Sequence, residues 1–295
     1  MDIKRKNKEV DLDEISITLK TDNEVIDKVR TGEITHIHVE INEQTQDGLL
    51  ENVDGKPVLD VEESPNTNHS CYFYNDGEFP YEIRRSLNFL VLLGDEGGCI
   101  SRIIDVDIEP GTRFNYQGPG KPIEEDPNGN SCIWEVSLEI VPLPQDAKTY
   151  LMRWNPSISS FTEKDYEECV ADMIHGMFRM SWSINEWEEA RRGDLFYMMR
   201  VGDDKAGIVF DGQFLSDPYP EDDWAGSTKR RMYVDMVCLE YGEIGTEPYV
   251  PLKKLQKSIP NYEWAEGHSG VLLSNEVADK LVDLCRKEYE KKMQG

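Results

Sequence analysis

The sequence predicts an α+β fold: two small, mostly antiparallel β-barrel or curled-sheet domains, each with a few helices. Three observations predict it. The chain has 295 residues, about twice the ~100–150 residues of a common domain. Short segments with the alternation of strands recur along it, separated by turns rich in Gly, Pro, Asn and Asp, and only a few stretches keep helical spacing. Midway, Pro142-Leu143-Pro144-Gln145-Asp146 reads as a linker, which places the domains at 1–145 and 146–295.

The elements follow in order. Residues 1–14 are charged and aperiodic, and residues 15–20 alternate as a short strand. Thr21 or Asp22 then caps a helix carrying Val25, Ile26 and Val29, which Gly32 stops. From Ile34 to Ile41 apolar residues interleave with His36, His38 and Glu40, a strand with one wet face. Residues 42–70 read mostly as loop, residues 71–74 and 88–93 as buried strands, and residues 100–108 as a strand closed by a turn at Glu109-Pro110-Gly111. A Gly- and Pro-rich loop over 117–131 leads into a strand over 132–141. The second half opens with a strand over 149–154, ended by Asn155-Pro156, and Ser159 to Thr162 cap a helix over 163–177. Strands follow at 178–184, 195–201, 207–214 and 232–239, with a helical or turn segment at 185–192 and a C-terminal helix from about Asn275.

Composition excludes several functions. Fifty-eight acidic side chains against 32 basic ones give a net charge of −26, a field that repels nucleic-acid phosphate and anionic lipid over the chain as a whole. The excess is uneven: residues 1–145 hold 30 acids and 13 bases, net −17, and the rest is net −9. No apolar run reaches the ~18–20 residues of a membrane span. Met1-Asp2-Ile3-Lys4-Arg5-Lys6 has no apolar stretch behind it, so a secretory signal is not expected and a cytoplasmic setting is. Six widely spaced cysteines form no C-x-x-C pair and fit no zinc template. His36 and His38 share a strand face, with His69 as a conceivable third ligand, but a solvated face is the simpler reading. No metal and no cofactor are expected. No G-x-S-x-G, H-E-x-x-H or Walker sequence occurs, and no carboxylate pair stands out as acid and base, so no catalytic residue is assigned.

Tryptophan is the residue that stands out. Trp154, Trp182, Trp187, Trp224 and Trp264 fall in the second half, against Trp134 alone in the first. Flat aromatic faces stack on bases, and they also fill cores. Trp154 precedes Asn155-Pro156-Ser157 at a strand end, and Trp224 lies in the loop sequence Pro218-Tyr219-Pro220-Glu221-Asp222-Asp223-Trp224. Lys229-Arg230-Arg231 follows directly, with further cations at Arg191-Arg192 and at Lys253, Lys254 and Lys257. Cations beside an aromatic pocket can hold a phosphate despite the global field, because screening acts beyond ~8–10 Å.

Three stretches of the second half, Tyr150-Leu151-Met152-Arg153-Trp154-Asn155-Pro156, Gly193-Asp194-Leu195-Phe196-Tyr197-Met198-Met199-Arg200-Val201-Gly202 and Gly207-Ile208-Val209-Phe210-Asp211-Gly212-Gln213-Phe214, with Ser216-Asp217-Pro218-Tyr219 after them, carry a resemblance. In order and spacing this half resembles the PUA-like superfamily, particularly its EVE and ASCH branches, over about 75 residues. The resemblance implies an aromatic-lined pocket for modified bases, with Trp154, Asn155, Ser157, Trp182 and Trp224 as its candidates. The first half is more distantly similar to ASCH domains through Ile15-Ser16-Ile17-Thr18-Leu19-Lys20 and Gly32-Glu33-Ile34-Thr35. Ile34 and Ile37 stand where that family carries Lys and Glu, which argues against nucleoside hydrolysis there.

The expected function is non-catalytic recognition of a nucleotide, a modified base or RNA. Trp154 and Trp224 stack, Asn155 and Ser157 bond the base edge, and Lys229, Arg230 and Arg231 hold phosphate. The alternative is an acidic protein–protein module, or an inhibitor that mimics nucleic acid and binds a basic protein partner through the first half. An enzyme using Asp194, Asp211 or Cys169 is a further alternative.

Overall fold

The computed structural model describes residues 16–42, 44–51, 62–63, 70–71, 73–75, 82–84, 86–115, 124–173, 177–223, 226, 229–242 and 248–293. The chain is α+β and divides into two compact units, Met1–Pro142 and Leu143–Gly295.

The first unit runs β1 (Ser16–Lys20), α1 (Asn23–Thr31), β2 (His36–Glu40), α2 (Gln46–Leu49), β3 (Glu62–Glu63), β4 (Ser70–Cys71), β5 (Phe73–Asn75), β6 (Phe89–Gly94), β7 (Gly97–Phe114) and β8 (Ser131–Pro142). Its sheet has the order β1-β6-β7-β8-β2, with β5 also on β8 and the pair β3-β4 apart. All pairs are antiparallel except β1 with β6. Helix α1 ends where Gly32 takes φ 79°, a left-handed conformation that glycine adopts without strain, and its N–H returns to the Val29 carbonyl. Ile26 and Val29 are the buried residues of α1, in a core with Ile17, Leu90 and Leu138. Strand β7 continues past the turn expected at Glu109-Pro110-Gly111. The register with β8 shifts between Pro110 and Arg113, so these residues form a bulge, the setting in which a strand tolerates proline.

The exposed face of this sheet concentrates charge. Glu40 pairs with Glu135, and Glu135 with Glu109, so three carboxylates stand in one row across β2, β8 and β7. His36 and His38 lie on the same strand face, opposite Glu139 and Ser137. No group able to hold a metal ion occurs among the described residues, and His69 lies outside them.

The second unit runs β9 (Thr149–Trp154), α3 (Glu163–Met173), β10 (Phe178–Ser183), β11 (Leu195–Arg200), β12 (Gly207–Phe214), β13 (Tyr219–Asp222), β14 (Arg230–Tyr241), β15 (Val250–Pro251), α4 (Leu252–Ser258), β16 (Val271–Leu272) and α5 (Asn275–Met293). Its sheet has the order β10-β14-β12-β11-β9-β16, with β13 on β14 and β15 on β12. The sheet curls into a half-barrel. Beyond β10, the Asn185 and Glu186 N–H groups donate to the carbonyls of Ser269 and Gly270, just before the opposite edge strand β16. Residues 185–192, expected as helix or turn, are turns and bends.

Strand β9 is buried along its whole length. Tyr150, Met152 and Trp154 enter one core, with Tyr166, Phe210 and Phe214, and Leu151 enters another, with Trp264, Leu255 and Leu281 under α4 and α5. Strand β10 is different. Phe178, Met180 and Trp182 face inward on it but stay half-buried, so the space between β10 and α3 is not filled. No helix among the described residues is long and apolar enough to cross a membrane.

Candidate functional site

The unfilled space is a cavity of about 870 Å³, within the ~300–1,000 Å³ of small-molecule sites. Two aromatic side chains meet in it. The rings of Phe161 and Trp182 are 6.1 Å apart at 87°, an edge-to-face corner. Phe178 and Met180 extend the apolar wall, and Ile158, 71% exposed, forms part of the rim.

The corner is held by residues on both sides. Trp182 is fixed at its edge, where Nε1 donates to Ser269 Oγ at 3.0 Å. Phe161 is fixed through its backbone: Trp154 Nε1 donates to its carbonyl at 2.7 Å, and its N–H donates to Ser159 Oγ at 3.1 Å. Trp154 lies beneath, fully buried, stacked on Tyr166 at 5.2 Å and 21°, with the Arg200 guanidinium 5.3 Å from its ring centre.

The floor is built by Arg153, 8% exposed. Its guanidinium donates to the carbonyls of Trp264 and Glu263, each at 3.2 Å, and of His268. Ion pairs within reach of it are absent among the described residues, so its charge is balanced by peptide dipoles. Those bonds anchor the loop at 263–269. Gly270 completes the anchor with φ +73°, where a Cβ would stand 2.6 Å from Ile184 Cα.

Two carboxylates face the cavity and both are engaged. Asp165 Oδ2 accepts from the Thr162 N–H at 2.6 Å and the Thr162 hydroxyl at 2.8 Å, while the Asp165 N–H donates back to Thr162 Oγ1 at 3.3 Å. This reciprocal cap holds the Asp165 carboxyl below its ordinary value of 3.8. Glu168 pairs with Lys164 at 2.9 Å.

The sequence candidates separate here. Trp182 and Asn155 line the cavity. Asn155 Oδ1 accepts from the Ser157 N–H at 3.0 Å, which leaves its amide N–H groups as donors. Trp154, expected to stack in a pocket, is instead fully buried in the core and does not line the cavity. Ser157 is exposed and does not line the cavity. Arg231 lines it but is paired with Asp223 at 2.8 Å, and Arg230 lies 3.9 Å from Asp222. Lys229 and Arg230 are exposed, away from the cavity. For Arg230 and Arg231 abundant acid supplies a near partner. Trp224 lies outside the described residues. Asp194, a candidate for catalysis, is fully buried and accepts the N–H groups of Lys148 and Arg191 at 2.8 and 3.0 Å, a turn-closing role. Burial raises its carboxyl pKa.

The residues missed from sequence are Phe161, Arg153 and Ser269. Phe161 falls between Ser159 and Thr162, a run whose residue types read as a helix cap. Arg153 and Ser269 are joined across 116 positions by the Arg153 N–H, which donates to Ser269 Oγ at 3.0 Å. No local pattern marks such a pair.

No family model matches the chain, and no curated protein matches it. Among solved structures it is similar to YTH domains. The YTH domain-containing protein mmi1 in its RNA complex aligns at 12% identity over 52% of this chain and 94% of that one, with a TM-score of 0.33. The YTH domain of the Zygosaccharomyces rouxii MRB1 protein, in complex with N6-methyladenosine RNA, aligns at 11% identity over 48% and 89%, with a TM-score of 0.29. Likenesses this distant assign neither family nor ligand, and the PUA-like resemblance has no family match behind it.

Proposed function

We propose that the second unit binds a planar heterocyclic base, as a nucleotide, a modified base or part of an RNA, in the cavity cornered by Phe161 and Trp182, without catalysis. The observation that carries this reading is the perpendicular pair itself, Phe161 and Trp182 lining one cavity of a volume that admits a nucleoside. Stacking of this kind is worth about 1–3 kcal/mol per base. The hydrogen-bonding groups in the wall, Asn155 and Ser269 among them, supply orientation rather than proton transfer, because Asp165 and Glu168 already have partners. A local pocket is also the mode of contact that a chain of net charge −26 permits.

The test is a tryptophan-fluorescence titration with the four nucleosides, their base-methylated forms and short oligonucleotides containing them. Saturable binding that is lost in both Phe161→Ala and Trp182→Ala is the expected result. Binding untouched by both substitutions, or none at low salt, overturns the reading.

A further inference from the structure

We infer that the Ser269 hydroxyl is a specificity-determining hydrogen-bond donor, selecting heterocycles that present an acceptor, an unprotonated ring nitrogen or a ring carbonyl, at the Trp182 end of the cavity. The inference rests on the base-binding reading and narrows it to a chemical class.

A hydroxyl has two lone pairs and one hydrogen. Ser269 Oγ accepts the Arg153 backbone N–H and the Trp182 indole N–H, each at 3.0 Å. Both lone pairs are thereby filled by donors that cannot act as acceptors. What the oxygen has left to offer is its own hydrogen, for which no acceptor occurs among the described residues. Ser269 lines the cavity, so that hydrogen is available to a ligand. The two accepted bonds also fix the direction of the O–H, so a ligand meets an oriented donor rather than a free rotor.

The oxygen cannot drift. The Ser269 carbonyl accepts the Asn185 N–H at 3.1 Å, and the Gly270 N–H donates to the Leu151 carbonyl at 3.0 Å. Gly270 packs so closely on Ile184 that a side chain there has no room. Position follows from the indole as well. A hydrogen bond from Nε1 lies near the ring plane, at its edge, so a heterocycle stacked on the Trp182 face brings its own edge over Ser269 Oγ.

Charge sets the sign of the preference. An aromatic corner can also take a quaternary ammonium. Here the Arg153 guanidinium lies under the same loop with carbonyl partners and no carboxylate among the described residues. Beside Ser269 its field favours an electron-rich acceptor, while Asp165 and Glu168 line the α3 side of the same cavity.

The experiment takes the tightest-binding nucleoside among adenosine, guanosine, cytidine, uridine and their base-methylated forms. It then uses analogues in which one ring acceptor at a time is replaced by C–H. One analogue is expected to bind the native protein about tenfold more weakly, the scale of an unpaired donor. Ser269→Ala, which retains the fold as checked by near-UV circular dichroism, is expected to bind that analogue and its parent equally, and Ser269→Thr to restore the difference. If Ser269→Ala weakens the parent and every analogue by one common factor, the hydroxyl only positions Trp182 and the inference fails while base binding stands. If no nucleoside or methylated nucleoside binds the native protein, both fail.

Discussion

Trp154 Nε1 donates to the carbonyl of Phe161 at 2.7 Å, so a wholly buried indole sets the position of a ring that faces the cavity. Removing the indole has two separable effects. Trp154→Ala empties a core position and is expected to cost about 3–5 kcal/mol, read by urea denaturation. Trp154→Phe retains most of the volume but leaves the carbonyl without its donor, at about 1–3 kcal/mol. If the proposed base binding holds, affinity is expected to fall as well in the nucleoside titration, because Phe161 is freed although Trp154 does not line the cavity.

Trp182 behaves in the opposite way. It is half-buried on β10, so Trp182→Ala is expected to cost less stability than Trp154→Ala and more affinity, about ten- to a hundredfold for a stacked base. Trp182→Phe should retain part of the affinity and lose most of the fluorescence change on binding. Equal losses of stability in the two alanine variants would place both indoles in the core.

Of the two arginines that line the cavity, one is held by an acid. Arg231 pairs with Asp223, whose side chain is 4% exposed. Arg231→Ala is expected to destabilise by about 1–3 kcal/mol, less than a fully buried pair because the arginine is half exposed. A nucleoside and its 5′-monophosphate are expected to bind within about threefold of each other, changing little between about 50 and 200 mM salt. A steep salt dependence in isothermal titration calorimetry would show phosphate contacts instead.

Acid should loosen the wall formed by α3. The Asp165 carboxyl is held below its ordinary 3.8 by Thr162, so the native state binds fewer protons there than the unfolded chain. The resulting stabilisation is present above about pH 4 and is lost as pH falls through the depressed native value. Amide exchange over the first turn of α3 is expected to accelerate in that window, and Asp165→Asn to remove the dependence.

The carboxylate row Glu40–Glu135–Glu109 places like charges directly opposite one another across β2, β8 and β7. Glu135→Lys, which converts two repulsions into attractions, is expected to raise stability by about 0.5–1 kcal/mol. The gain should shrink in about 0.5 M salt, as measured by thermal melts in both conditions.

Much of the strand framework was readable from the residues. Thr149 to Trp154 and Gly207 to Phe214 begin and end where alternation, Asn155-Pro156 and the flanking turns place them. Gly32 ends α1 because its conformation is a local property. What alternation does not carry is which strand face another element covers. Trp154 and Trp182 both lie on strands, yet α3 covers one through Tyr166 and leaves the other open. Pro110 reads as a turn until a partner strand long enough to absorb a bulge is known. Strands β13, β15 and β16 and helix α4 are too short to carry a period, and Ser269 gains its role from residues more than 80 positions away.

Strand β9 serves two cores at once, and that makes the pocket impossible to trim. Ending the chain before α4 would remove Leu255, Trp264 and Leu281 from the Leu151 side of the strand, and with them the peptide carbonyls that hold Arg153. The far wall of the cavity would go too, since His268 and Ser269 belong to the same stretch. The half of the unit that carries the cavity is therefore not a portable module: it needs the chain from β9 through α5, and a fusion partner or tag belongs outside those limits.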